Sequence, residues 1–168
     1  TLMARWDDDV WFEPAGCADI DESKTDTVQD VNCRRYYEGE TVSIEGLTVI
    51  SGETENAGNY FVQDPVNTAF GGILIYDPSG EAVPALGTTI DVTDVEYSEF
   101  LGQSELAVWD GSIDTGAAGP ELVATTVADA CSVTEAHEGT LITIAEVVLG
   151  EQSEWAEGRG YYPVDGCP

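Results

Sequence analysis

From residue 40 onward, apolar and polar residues alternate with a period of two, the pattern of strands that bury one face. In Thr41-Val42-Ser43-Ile44-Glu45-Gly46-Leu47-Thr48-Val49-Ile50 the inward positions are Val42 and Ile44, then Leu47 and Val49 after a phase slip at Gly46. A glycine at such a slip marks a bulge or a tight bend. Residues 51–59 carry turn chemistry. Tyr60-Phe61-Val62-Gln63 reads as a second strand stopped by Asp64-Pro65, and Ile73-Leu74-Ile75-Tyr76 as a third, opened by Gly71-Gly72 and stopped by Asp77-Pro78. A long fourth strand runs from Thr89 to Tyr97, and after a turn at Gly102 a fifth covers Glu105 to Trp109. Gly111 to Pro120 reads as a small-residue loop, Leu122-Val123-Ala124 as a short strand, and Thr126 to Ala130 as one helical turn. No segment shows an apolar helical stripe.

Two regions flank this block. Residues 1–37 read as an arm with a disulfide loop, in which Trp6, Val10, Trp11 and Phe12 surround the triplet Asp7-Asp8-Asp9. Aromatic side chains there want burial, against this chain or against a neighbouring copy. At the other end Glu138-Gly139-Thr140-Leu141-Ile142-Thr143-Ile144 echoes Glu38-Gly39-Glu40-Thr41-Val42-Ser43-Ile44, and Tyr161-Tyr162 echoes Tyr60-Phe61. Residues 140–149 and 160–164 are therefore expected to form the first hairpin of a partial second repeat. The organisation expected is an arm over 1–37, a barrel over 38–130 and a partial repeat over 131–168.

Charge narrows the partners. The 168 residues carry 33 acids against 5 bases, a net charge of −28, and the one lysine is Lys24. Phosphate backbones are bound through Lys and Arg, so nucleic acid is disfavoured, as are anionic membranes. Cations and self-association screened by salt are favoured instead. No run is long enough to be a membrane span, and the start at Thr1 fits a processed mature protein. Four cysteines at 17, 33, 131 and 167 read as two disulfides of an exported protein. The pairing Cys17–Cys33 with Cys131–Cys167 closes two local loops. Zinc is the alternative, but it would bring a C-x-x-C or histidines at ligand spacing, and the one histidine is His137.

Five strands with a long, bent first strand suit an OB-like five-stranded Greek-key barrel. Three stretches go further: Val42-Ser43-Ile44-Glu45-Gly46, Tyr60-Phe61-Val62-Gln63-Asp64-Pro65 and Gly71-Gly72-Ile73-Leu74-Ile75-Tyr76. They resemble the OB-fold-like domains of secreted bacterial proteins, as found beside the catalytic domain of extracellular nucleases. The likeness spans residues 40–110 and departs from the pattern at Asp94, where a glycine usually follows Val-Thr. It implies an all-β fold, the OB-like barrel here carrying an N-terminal arm and an extra C-terminal β-hairpin, in an extracellular setting. It implies no catalysis, because the chemistry of such nucleases belongs to another domain.

No catalytic set stands out. Glu96 with Glu99, or Glu53 with Glu55, read as solvated carboxylates, and His137 reads as structural. No cofactor is expected except calcium: Asp19, Asp21, Ser23 and Thr25 space oxygens at alternate positions with Asp30 at position twelve, although Lys24 and Asp26 depart from a calcium loop. Two roles follow. One is a non-catalytic extracellular structural protein, a filament or surface-layer subunit joined through its arm or its strand edges. The other is a secreted carbohydrate- or ligand-binding module, or an accessory domain of an exported hydrolase, with Tyr60 or Phe61 and Tyr76 offering aromatic faces to a glycan.

Overall fold

The computed structural model describes residues 16–17, 26–54, 58–100, 102–145 and 147–148, together with the backbone of two further strands at 153–156 and 159–161. The alternating stretch becomes β1 (Thr41–Val49), with Val42, Ile44, Leu47 and Val49 all buried. The slip is real. Ile44 pairs with Val92 and Leu47 with Ile90, so β1 holds an extra residue, and Gly46 sits at φ 73° with its N–H donating to Asp91 Oδ1 at 2.7 Å. The bulge keeps the inward phase on both sides of the bend.

β2 (Tyr60–Gln63) and β3 (Gly72–Tyr76) follow, then β4 (Thr88–Phe100) and β5 (Gln103–Ala107). The order β1-β2-β3-β5-β4, closed by β1 against β4, makes a barrel in which only β3 and β5 run parallel. That is the strand order of an OB barrel. Its core is a single apolar cluster to which every strand contributes, centred on Leu47, Val62, Ile73, Ile75, Ile90 and Leu106.

β4 is long enough to use two neighbours on one edge. Its first half pairs with β6 (Ser112–Ala118) and its second half with β5. β6 falls where the sequence suggested a loop. Its residues are small and mostly exposed, so no inward stripe marks it, and its pairing comes from the edge β4 offers. The change of partner occurs at Asp94, which sits at φ 52° and donates its N–H to Ser43 Oγ at 3.0 Å. The position where the resembling pattern keeps glycine therefore does adopt a glycine-favouring conformation, with aspartate tolerated in it. Asp94→Gly is expected to unfold at higher denaturant than Asp94→Ala, by about 1 kcal/mol. Equal stabilities would show that the kink carries no strain.

Residues 26–37, read from sequence as part of an arm, are packed into the barrel. Val28–Asn32 forms α1, opened by a capping box between Thr27 and Asp30. It closes with Arg34 at φ 58°, where Arg34 N–H donates to the carbonyl of Val31 and Arg35 N–H to that of Asp30. Val28 and Val31 are fully buried in the barrel core with Tyr36. A helix of five residues is too short to show an apolar period, so tertiary burial decides it. Asn32 Nδ2 donates to the carbonyls of Phe70 and Gly72, fastening α1 to the start of β3.

Past the barrel, β7 (Thr125–Val127) pairs in parallel with β8 (Ile142–Ile144). β9 (Ser153–Ala156) forms a hairpin with β10 (Arg159–Tyr161). The expected pairing of 140–149 with 160–164 is replaced among the described residues by these two. The short strand expected at Leu122–Ala124 falls instead at Thr125–Val127, and the helical turn expected over Thr126–Ala130 comes later, at Ala130–Ser132.

Candidate functional site

The two ends of the barrel differ. At one end lie α1, the start of β3 and a small cluster of Cys17, Cys33 and Phe70 with Ala136 against it. Cys17 and Cys33 form a disulfide, and Cys131 is also disulfide-bonded, while Cys167 lies outside the described residues. Phe70 N–H donates to the carbonyl of Ala136, and Leu141 N–H to Gln63 Oε1 at 2.8 Å, so residues 134–141 are strapped across this end.

The strap carries His137, whose Nδ1 accepts from Thr134 N–H at 3.0 Å and closes a short turn, a structural role. Next to it Glu138 is pushed up to about 7 by burial and by Glu135, against a backbone N–H of Ser104 that lowers it. The folded state thus holds a proton that the unfolded chain releases. That contribution to stability is complete below the ordinary glutamate value and is lost as pH rises through about 7. Allowing for Glu138's partial exposure, Glu138→Gln is expected to flatten the loss between pH 5 and 8 by about 1 kcal/mol, or roughly 2–4 °C in Tm. Parallel wild-type and variant curves would remove the proton from Glu138.

The opposite end, about four residues along β3, is formed by the start of β2, the end of β3, the 77–87 loop and the turn from β5 into β6. A cleft of about 370 Å³ opens there, within the range of small-molecule sites. Its walls include Trp109, Pro84 and Ile113, and its polar groups include Tyr60, Asp77 and Glu81. Trp109 is 56% exposed. It is held edge-on by the ring of Tyr76, centroids 5.2 Å apart at 65°. The ring is therefore an oriented face rather than a loose side chain.

Tyr60 lines the cleft and is 2% exposed, and its buried hydroxyl has no hydrogen-bond partner among the described residues. Burial and the nearby Asp77 carboxylate push the phenol above its ordinary range, so it stays neutral. Asp77 is itself buried, its Oδ1 accepting from Ser79 N–H at 2.9 Å. Gly58 lets this end close: a Cβ there would collide with the Asp77 carbonyl.

The three aromatic candidates separate by strand parity. Phe61 faces Leu74 across the β2–β3 pair, and Tyr76, two residues on, shares that outer face. Tyr60, opposite Ile75, turns inward into the core cluster and also lines the cleft. Sequence reasoning missed Trp109 by extending the fifth strand through it; β5 ends at Ala107, and the Asp110-Gly111 turn signal was the available clue.

Of the calcium candidates, Asp30 spends its carboxylate on the α1 cap, accepting from Thr27 Oγ1 at 2.9 Å. Asp19, Asp21, Ser23 and Thr25 lie outside the described residues, as do Trp6, Val10, Trp11 and Phe12. Among the described residues no three His, Cys, Asp or Glu side chains cluster to hold a metal. Glu99 pairs with Arg34 at 3.4 Å, and Glu53 accepts from Gly58 N–H, while Glu55 lies outside the described residues.

No protein-family profile matches the chain, and no curated protein matches it. Solved structures similar in part include two OB domains. One is an OB domain from Methanosarcina mazei, at 15% identity and a TM-score of 0.36, with 47% of this chain and 74% of that one covered. The other is an OB domain from Thermoplasma acidophilum, at 18% identity and a TM-score of 0.33, with 51% and 82% covered. The strand order and closure of the barrel identify this chain as an OB fold.

Proposed function

We propose that the protein is a non-catalytic binding module that holds a glycan in the cleft at the end of its barrel. The observation that carries this reading is that one cleft is lined by an oriented, exposed Trp109 and by Tyr60, whose buried hydroxyl is unpartnered among the described residues. An aromatic face stacks on the apolar face of a sugar ring, and inner polar groups take its hydroxyls. The charge of −28 argues against nucleic acid as the ligand. The Cys17–Cys33 disulfide suits an oxidising compartment. An extracellular location, beside an exported hydrolase or free, belongs to the same proposal.

A panel of polysaccharides and oligosaccharides, read by calorimetry, tests it. Trp109→Ala is expected to weaken the binding found by about ten-fold or more. Because the ring is half exposed, Tm should change little. A panel without a binder would end this reading.

A second reading, a structural subunit, is favoured by one feature. Among the described residues β6 ends the sheet and leaves an edge of backbone groups that a second strand can join. Sedimentation across salt and calcium concentrations tests it, and a monomer under every condition would sink it.

A further inference from the structure

We infer that the cleft selects a glycan bearing free amines, a hexosamine polymer, over neutral and N-acetylated sugars, an inference that rests on the glycan-binding reading above. Two independent observations meet there. The first is charge. Asp77 and Glu81 line the cleft, and among the described lining residues none is Lys, Arg or His. With 33 acids against 5 bases in the chain, compensation from elsewhere is scarce. The second is Tyr60, which lines the same cleft as Asp77 and whose buried hydroxyl has no partner among the described residues.

A neutral sugar hydroxyl would satisfy the phenol and leave the carboxylates uncompensated. An ammonium carries three donors and a charge, so one group serves both the Tyr60 oxygen and the Asp77 carboxylate. Trp109 adds a ring face that attracts a cation as well as a sugar. Glu81 at the exposed rim meets the next amine along a polymer. N-acetylation removes both the charge and two of the donors, and an anionic sugar is repelled.

The test is calorimetric titration of the full chain with short oligomers of glucosamine, N-acetylglucosamine and glucose at physiological salt. Glucosamine oligomers are expected to bind about ten-fold or more tightly than the other two. Trp109→Ala should abolish this binding, and Glu81→Gln and Tyr60→Phe should each weaken it several-fold. Tyr60→Phe should not lower Tm, since it removes a hydroxyl with no partner, so loss of affinity in that variant reports ligand contact rather than folding. If all three oligomers bind alike and need Trp109, amine selection is overturned and glycan binding stands. If glucosamine oligomers bind Trp109→Ala as well as wild type, the attraction is diffuse and the inference falls. If none of the oligomers binds, the inference falls; if the wider polysaccharide panel also fails, the glycan reading falls with it.

Discussion

Replacing Cys17 and Cys33 together by serine is expected to destabilise the protein by about 3 kcal/mol, the loop-closure value for a bridge of this span. The two residues are 16 apart in sequence, and both are fully buried. At the size of this chain that loss corresponds to roughly 6–12 °C in Tm. The bridge lies where three parts of the chain converge: the segment before α1, the Phe70 turn between β2 and β3, and Ala136 of the strap. Serine hydroxyls there would also be buried among apolar groups. Denaturant unfolding of the double variant beside wild type, with thiol counting to confirm the wild-type bridge, measures the difference. A loss below about 1 kcal/mol would mean that Phe70 and α1 hold this end without the bond.

Gly72→Ala is expected to cost about 3 kcal/mol, at the top of the range for overpacking. A Cβ at Gly72 runs into the backbone carbonyl of Gly139 and the backbone nitrogen of Thr140. Backbone cannot rotate away as a flexible side chain can, so the strap over residues 134–141 must lift. Lifting it breaks two hydrogen bonds, from Phe70 N–H to the Ala136 carbonyl and from Leu141 N–H to Gln63 Oε1. Each contributes about 1 kcal/mol, and Gln63 is left buried with less to bond. Gly46→Ala provides the contrast. A Cβ there meets nothing within 4 Å, and the penalty is only that of φ 73°, about 1 kcal/mol. Hydrogen exchange across 134–141 separates the two. Gly72→Ala should expose these amides while Gly46→Ala leaves them protected, and equal protection in both would show that the strap does not rest on Gly72.

The barrel was legible because its strands alternate. Val42, Ile44, Leu47 and Val49 declare their face through spacing alone, and the Gly46 bulge shows as a break in that spacing. β6 was not legible. Ser112 to Ala118 has no inward stripe, and its pairing is granted by the free edge of β4. α1 was hidden for a different reason: at five residues it has no period to read, and Val28 and Val31 count as core only once the end of the barrel is there to receive them. The echo at residues 138–144 predicts a second hairpin, but likeness of wording does not choose a strand's partner. Ile142–Ile144 found Thr125–Val127 instead.

The candidate site divides in the same way. Sequence named Tyr60 and Tyr76 as aromatics of interest, and strand parity then separates them, one inward and one outward. Their relation to Trp109 is a matter of which strand ends meet, and β3 runs beside β5 only through a crossover that no local pattern encodes. The sequence by itself determined what is local or additive: the alternation that makes an all-β barrel, the net charge of −28, and cysteine spacing that makes a short loop easy to close. Tertiary structure alone decided what is long-range: the edge that recruits β6, the end that α1 fills, and the cleft where Trp109, Tyr60 and Asp77 converge. Contacts of that kind join residues tens of positions apart, and only the closure of the barrel brings their backbones together.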